Sequence, residues 1–277
     1  MTGNPSNTSE MRFAFGDNWR QFLAVLDDDR IAEAERSLKK MLDVERLDGR
    51  SFLDIGSGSG LFSLVARRLG ARVRSFDYDP QSVACTEELR RRYFADDAEW
   101  LIDRGSALDP AYMAALGQFD IVYSWGVLHH TGAMWVAIEH AMGRVNERGL
   151  LFIAVYNDQG WKSRLWWFIK YVYNTLPAPL GKAYGYALGF LAEAVNIIKY
   201  TIRLQPMTAI RPLLNYRKDR RGMNVLRDMI DWIGGFPFEF ATYDVLESYM
   251  SARGFELVRG NRASSLGCHE MVFRRGG

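Results

Sequence analysis

Cysteine is scarce in this chain. Only Cys85 and Cys268 occur among 277 residues, far apart and without metal-ligand spacing. That excludes a disulfide-stapled scaffold, and the two thiols are expected to be reduced, in a cytoplasmic protein. No metal site is expected either. Charge of one sign is also lacking: the net charge is only +2, so nothing global points to nucleic acid. The opening MTGNPSNTSE has no apolar core of the kind a secretory signal needs, and residues 1–12 are expected to be a flexible tail. A long uncharged apolar run is missing too. The nearest approach, 183–204, contains Glu193, Asn196 and Lys199. A central carboxylate costs about 2.5–3.5 kcal/mol on insertion scales, which argues against a membrane span.

What is present begins with Phe52 to Gly60, FLDIGSGSG, an apolar run ending in three glycines and passing into the helix-like LFSLVARRL. Strand, glycine loop and helix together bring a ligand against backbone amides. Around this stretch, short apolar runs alternate with helical patterns: strands at 51–55, 72–76, 98–102, 119–124 and 149–155, with helices at 60–69, 80–93 and 133–145. Such alternation predicts an α/β, Rossmann-like, mostly parallel sheet with helices on both faces. Two N-terminal helices, Asp17–Leu26 and Arg30–Leu47, are expected within 13–48, either as a packing layer or as a lid carrying Phe13, Phe15 and Trp19. The core is 49–157. A helical, aromatic insertion follows the fifth strand over 158–240, and a C-terminal helix and two antiparallel edge strands fill 241–277.

The glycine spacing discriminates between ligands. G-x-G-x-G replaces the G-x-G-x-x-G of dinucleotide loops, and no G-K-[ST] is present for a phosphate loop. Asp54 just before the loop would repel a pyrophosphate but suits an ammonium group. Asp77, at the end of the second strand, can accept from vicinal ribose hydroxyls; its alternative is a helix N-cap, for which Asp79 is better placed. The ligand therefore has an adenosine-like half and a cationic amino-acid half. S-adenosylmethionine has both.

FLDIGSGSG, SFDYDP, RGSALD, FDIVYSWGVLHH and GLLFIAVYN, in this order from Ser51 to Asn157, resemble the motif series of class I S-adenosylmethionine-dependent methyltransferases. The resemblance implies a loop of Gly56, Ser57, Gly58 and Gly60 under the methionine portion, with Asp54 orienting it. It further implies Asp77 on the ribose, Tyr78 on the adenine, and Ser106 and Ala107 near the adenine amino group, where Ser106 replaces a common family acid. The same resemblance implies that Ser124, Trp125 and Gly126 border the methyl donor.

His129 and His130 are candidates for the base that removes the acceptor proton; otherwise one of them caps the next helix or packs beside the cofactor. The resemblance also implies that Tyr156, Asn157 and Asp158, just past the fifth strand, meet the acceptor. In the insertion, Asp228, Asp231, Trp232 and Glu239 either shape an acceptor pocket or fix the insertion to the sheet. The acceptor is read as a small molecule methylated at oxygen, apolar or lipid-like, such as a quinone precursor. Two alternatives stand beside it: RNA or protein as substrate, through the basic Arg211 to Arg227 region, and a non-catalytic binding module. Residues 161–204 are read as a buried cap, or else as a peripheral membrane contact.

Overall fold

The computed structural model describes residue 23 and residues 26–205, 207–208 and 233–277. The predicted helix over Asp17–Leu26 and the basic region Arg211 to Arg227 lie wholly or mostly outside these residues. Two compact units are present: Met1–Phe13 with Arg164–Phe238, and Ala14–Ser163 with Glu239–Gly277.

The second unit holds a seven-stranded sheet. Its strands are β1 (Ser51–Ile55), β2 (Arg72–Asp77), β3 (Trp100–Arg104), β4 (Phe119–Trp125), β5 (Val145–Tyr156), β6 (Phe255–Asn261) and β7 (Cys268–Arg275). They lie in the order β3-β2-β1-β4-β5-β7-β6. The first five are parallel, and β7 adds antiparallel to β5, as the edge-strand pattern predicts. The chain leaves β1 toward β2 on one side and reaches β4 on the other. A crevice forms beyond the carboxyl ends of the strands at such a switch point.

Helices α1 (Asp28–Leu42), α2 (Leu61–Arg68), α3 (Pro80–Tyr93), α4 (Pro110–Ala115), α5 (Met134–Met142) and α8 (Tyr243–Ser251) surround the sheet. Local chemistry sets their ends. Asp79 caps α3 by accepting from the Gln81 amide at 2.9 Å, with Pro80 in the first turn. Thr242 caps α8 by accepting from Val245. Gly70 follows α2 at φ +100, where other residues would be strained.

Period-two alternation divides the core. Leu53 and Ile55 of β1 join Phe76, Val122, Leu151 and Ile153 under α5 and α8. Phe52, Val73, Ile121 and Phe152 face α1 and α2 instead. Helix α1 buries Ile31, Ala34, Leu38, Met41 and Leu42, the stripe that its sequence period marks. Because both sheet faces are covered, the parallel strands read as near-continuous apolar runs. Asp54 falls on the α1/α2 face by the same alternation, and this decides its partners.

In the first unit, α6 (Trp161–Thr175) begins at the boundary and α7 (Ala178–Ile202) follows after Pro177. Among the described residues, no helix is long and apolar enough to cross a membrane.

The antiparallel edge carries its own share of the core through Phe273, which is fully buried. Phe273→Ala is expected to lower unfolding free energy by about 3–5 kcal/mol, read from a urea denaturation midpoint.

Candidate active site

The candidate cofactor residues lie at the carboxyl ends of β1 to β4; of the candidates in the insertion, Asp228, Asp231 and Trp232 lie outside the described residues. Gly56, Gly58 and Gly60 have φ of +77, +56 and +80. At Gly56 a Cβ would meet Val127 Cγ1 at 2.4 Å, and at Gly60 it would meet Thr86 Cα at 2.9 Å. Two of the three glycines are thus required by space as well as by backbone angle. The loop is pinned to β2: Gly56 and Ser57 donate to the Phe76 carbonyl at 2.9 and 3.1 Å. Ser57 Oγ also pairs with Thr86 Oγ1 of α3 at 2.9 Å.

Asp77 ends β2 and is half-buried. Its Oδ2 accepts from the Gly58 amide at 3.0 Å and its Oδ1 from the Asp79 amide at 2.9 Å. It therefore clamps the loop, and each oxygen retains lone-pair capacity for a further donor. Burial raises its pKa to about 6, against the pull of those two amides. Asp54 is only 2% exposed, so its carboxylate does not line the open crevice. Its Oδ2 accepts from Ser63 Oγ of α2 at 2.5 Å. Ser63 Oγ pairs with Ser75 Oγ of β2 at 2.6 Å, and Ser75 Oγ accepts from Trp100 Nε1 of β3 at 2.9 Å. Burial first, opposed by Ser63 and reinforced by the Asp77 charge, raises the Asp54 pKa to about 7.

The remaining candidates divide by exposure. Tyr78 and Trp125 are 54% and 46% exposed, flanking the loop from β2 and β4. Trp125 is oriented by donating from Nε1 to Glu270 Oε1 at 2.8 Å. Gly126 has φ +75, and a Cβ there would meet nothing within 4 Å, so its left-handed turn opens onto space. Ser106 Oγ accepts from the Leu108 amide at 3.2 Å, and the Ala107 carbonyl accepts from His140 Nδ1 at 2.7 Å. Ser124 lies within β4, fully buried, and donates to the Ile55 carbonyl at 3.0 Å, joining β4 to β1 across the switch point.

His129 and His130 occupy a 3₁₀ turn, Leu128–His130, directly after β4. Their rings lie 4.4 Å apart, and the Tyr156 ring is 4.1 Å from His129 and 5.5 Å from His130. His129 is 0% exposed, whereas His130 is half-buried. Neither caps α5. That role falls to Glu239, whose two carboxylate oxygens accept from the Met134 amide at 3.1 and 3.0 Å. The Glu239 amide also donates to the His129 carbonyl at 2.9 Å. Desolvation raises the Glu239 pKa, and the helix-terminal amides oppose that rise. Residues 239–241 go on to the end of β5, where the Ala241 amide donates to the Tyr156 carbonyl at 3.0 Å. In the sequence Glu239 was open to two readings, and this geometry makes it a fastening of the histidine turn. His269 is a packing residue: its Nδ1 accepts from the Ala263 amide, and its ring packs edge-on against Tyr243.

The raised Asp54 pKa has a definite sign in stability. Between about pH 4 and pH 7 the folded chain holds a proton that the unfolded chain has released. Stability from this group is present below pH 4 and is lost as pH rises through 7. Asp54→Asn removes the titration while keeping an acceptor for Ser63. Its unfolding free energy relative to the parent should rise from pH 4 to pH 8 by at most about 4 kcal/mol. Parallel denaturation series across that range measure it; a constant difference would refute the assignment.

A profile described as a methyltransferase domain matches residues 26–179. A ubiquinone biosynthesis O-methyltransferase of Methylobacterium sp. (strain 4-46) is 31% identical over 116 residues, 42% of this chain and 45% of that protein. The corresponding protein of Brucella ovis is 31% identical over 117 residues, 40% of this chain and 43% of the other. The chain thus matches under half the length of these curated relatives. Among solved structures, magnesium protoporphyrin IX methyltransferase from Synechocystis PCC 6803 superposes with a TM-score of 0.55 at 14% identity, over 94% of both chains. That likeness concerns the fold. The profile spans more than half of the chain and includes the glycine loop, Asp77 and the histidine turn; the chain belongs to the methyltransferase domain family, the class I S-adenosylmethionine-dependent methyltransferases.

Proposed function

We propose that this chain transfers a methyl group from S-adenosylmethionine to a hydroxyl of a small, apolar acceptor such as a quinone precursor. The observation that carries the reading is the meeting, at one switch point, of a clamped glycine loop and a histidine–tyrosine cluster. The residues fit the donor. Asp77 keeps acceptor capacity on both oxygens for the ribose hydroxyls, beyond its bonds to Gly58 and Asp79. The loop approaches without side chains, and the exposed Tyr78 offers an aromatic face to an adenine. Asp54 and Asp77 supply negative charge for a cationic ligand. The resemblance supports Ser106, Ala107, Trp125 and Gly126 as further donor contacts.

The bound donor supplies a methyl group on an already cationic sulfur, so the leaving group needs no acid. What this chain must add is position and a place for the acceptor proton. His130, half-buried beside Tyr156, is assigned as the base. His129, enclosed behind it, holds the turn, with Glu239 fastening both to α5. The names of the relatives, ubiquinone biosynthesis O-methyltransferases, support oxygen as the acceptor atom, over the part of the chain that they share.

Calorimetry with S-adenosylmethionine tests the first half. Asp77→Ala should weaken binding about 10²–10⁴-fold, the loss of two hydrogen bonds to a charged group. In the parent, affinity should fall as pH drops below about 6, where Asp77 takes up its proton. Asp77→Asn should be weak and flat with pH. An unchanged affinity in Asp77→Ala removes the ribose assignment. A screen of hydroxylated aromatics with labelled methyl donor tests the second half. With an accepted substrate, His130→Ala should lower kcat by about 10²–10⁴-fold and leave donor affinity intact. Full turnover in that variant would dismiss His130 as base, and transfer only to RNA or protein would replace the acceptor class.

A further inference from the structure

The long helix α7 is built the wrong way round for a soluble packing element. Gly181, Gly185 and Gly189 are its buried residues. Its large apolar side chains point to water instead: Leu180, Phe190, Leu191, Val195, Ile198 and Ile202 are each between 57% and 77% exposed. Leu180, Leu191, Val195, Ile198 and Ile202 recur at steps that keep them on one helical face. A face of this size on a soluble protein marks a binding surface.

Charge indicates what binds there. Residues 161–203 carry five exposed Lys and Arg side chains, Lys170 being buried, against the single carboxylate Glu193, in a chain whose net charge is only +2. Lys182, Lys199 and Arg203 lie on α7 or at its end, and all three are exposed. Tyr184, Tyr186 and Tyr200 add rings with an apolar body and a polar tip. An exposed aliphatic stripe, flanking cations and amphipathic aromatics form the pattern of a helix lying in the interface of an anionic bilayer. The helix does not meet the requirements for crossing one.

We infer that α7 docks this protein on the surface of an anionic lipid bilayer, with the Leu180–Ile202 stripe in the acyl boundary and Lys182, Lys199 and Arg203 at the headgroups. This goes beyond the proposed chemistry and does not depend on it.

Flotation of the full chain with phosphatidylcholine vesicles, alone or enriched in phosphatidylglycerol, tests the inference. The protein should float with the anionic vesicles, remain behind with the neutral ones, and dissociate as salt is raised. Leu191→Glu/Ile198→Glu should reduce flotation tenfold or more. Lys182→Gln and Lys199→Gln should each reduce it about fivefold. Circular dichroism and S-adenosylmethionine affinity matching the parent show that the variants remain folded, so a failure of methyl transfer and a failure of docking are read separately. Flotation that survives Leu191→Glu/Ile198→Glu, or no flotation with either vesicle, overturns the inference. A dimer seen by light scattering, dissolved by Leu191→Glu/Ile198→Glu and indifferent to vesicles, overturns it in favour of self-association.

Discussion

One buried carboxylate holds the cofactor end of this fold together. Asp54 ends the central strand with its charge turned away from the open crevice, into the layer beneath α2. An isolated ionised group there would cost several kcal/mol. The cost is partly offset by a donor chain that starts at Trp100, passes through Ser75 and Ser63, and ends on Asp54. Those four residues belong to β3, β2, α2 and β1. The network therefore sets how far the helix stands from three strands, and so where the glycine loop between β1 and α2 must run. Its members are buried and bonded, the condition under which a polar network makes a core specific.

The loop's shape follows from that anchorage. With β1 and α2 fixed at both ends, five residues must reverse direction, and left-handed glycines accomplish it. Asp77 then closes the arrangement from β2 by accepting from the Gly58 amide. The neighbouring β4 connection is set separately. Ser124 ties β4 to β1, while Glu239 returns from a distant part of the sequence to cap α5 and grip the His129 carbonyl. The glycine loop and the histidine turn thus rest on different fastenings at the carboxyl ends of neighbouring strands. A substitution in either set should disturb mainly its own half.

Much of this was legible in the sequence because it is local. The glycine loop, Asp77, the caps Asp79 and Thr242, and the α1 stripe all depend on residues a few positions apart. The antiparallel edge was legible from its position after the last helix. What escaped depends on contacts between distant segments. Nothing in the spacing of Ser63, Ser75 and Trp100 reveals one hydrogen-bonded chain, since each resembles an ordinary core or surface residue. Glu239 lies 105 positions from the amide it caps. Strand β5 starts at Val145, before the Gly149 at which its apolar run begins, because Asn146, Glu147 and Arg148 extend it in polar form. Ser124 was placed beside the methyl donor by resemblance alone, and nothing in its own spacing shows that its hydroxyl bonds the Ile55 carbonyl. The sequence left α7 between a buried cap and a surface contact, because a helical apolar stripe fits both until the glycines are found on the buried side.

Two carboxylates lie at the loop, one behind it and one at its rim, and under the proposed function both act on a cationic ligand. In the free protein each is raised by burial, and the Asp77 charge raises Asp54 further. Bringing a cation to the loop favours the ionised form of both. Under the proposed function, donor binding therefore expels protons, and its affinity contains the work of ionising these groups. The methylated donor carries a sulfonium that its demethylated product lacks. The product then gains less from the same carboxylates, while the shared ribose and adenine contacts stay unchanged. On the same proposal, burial that costs stability in the empty fold contributes to discrimination between donor and spent donor.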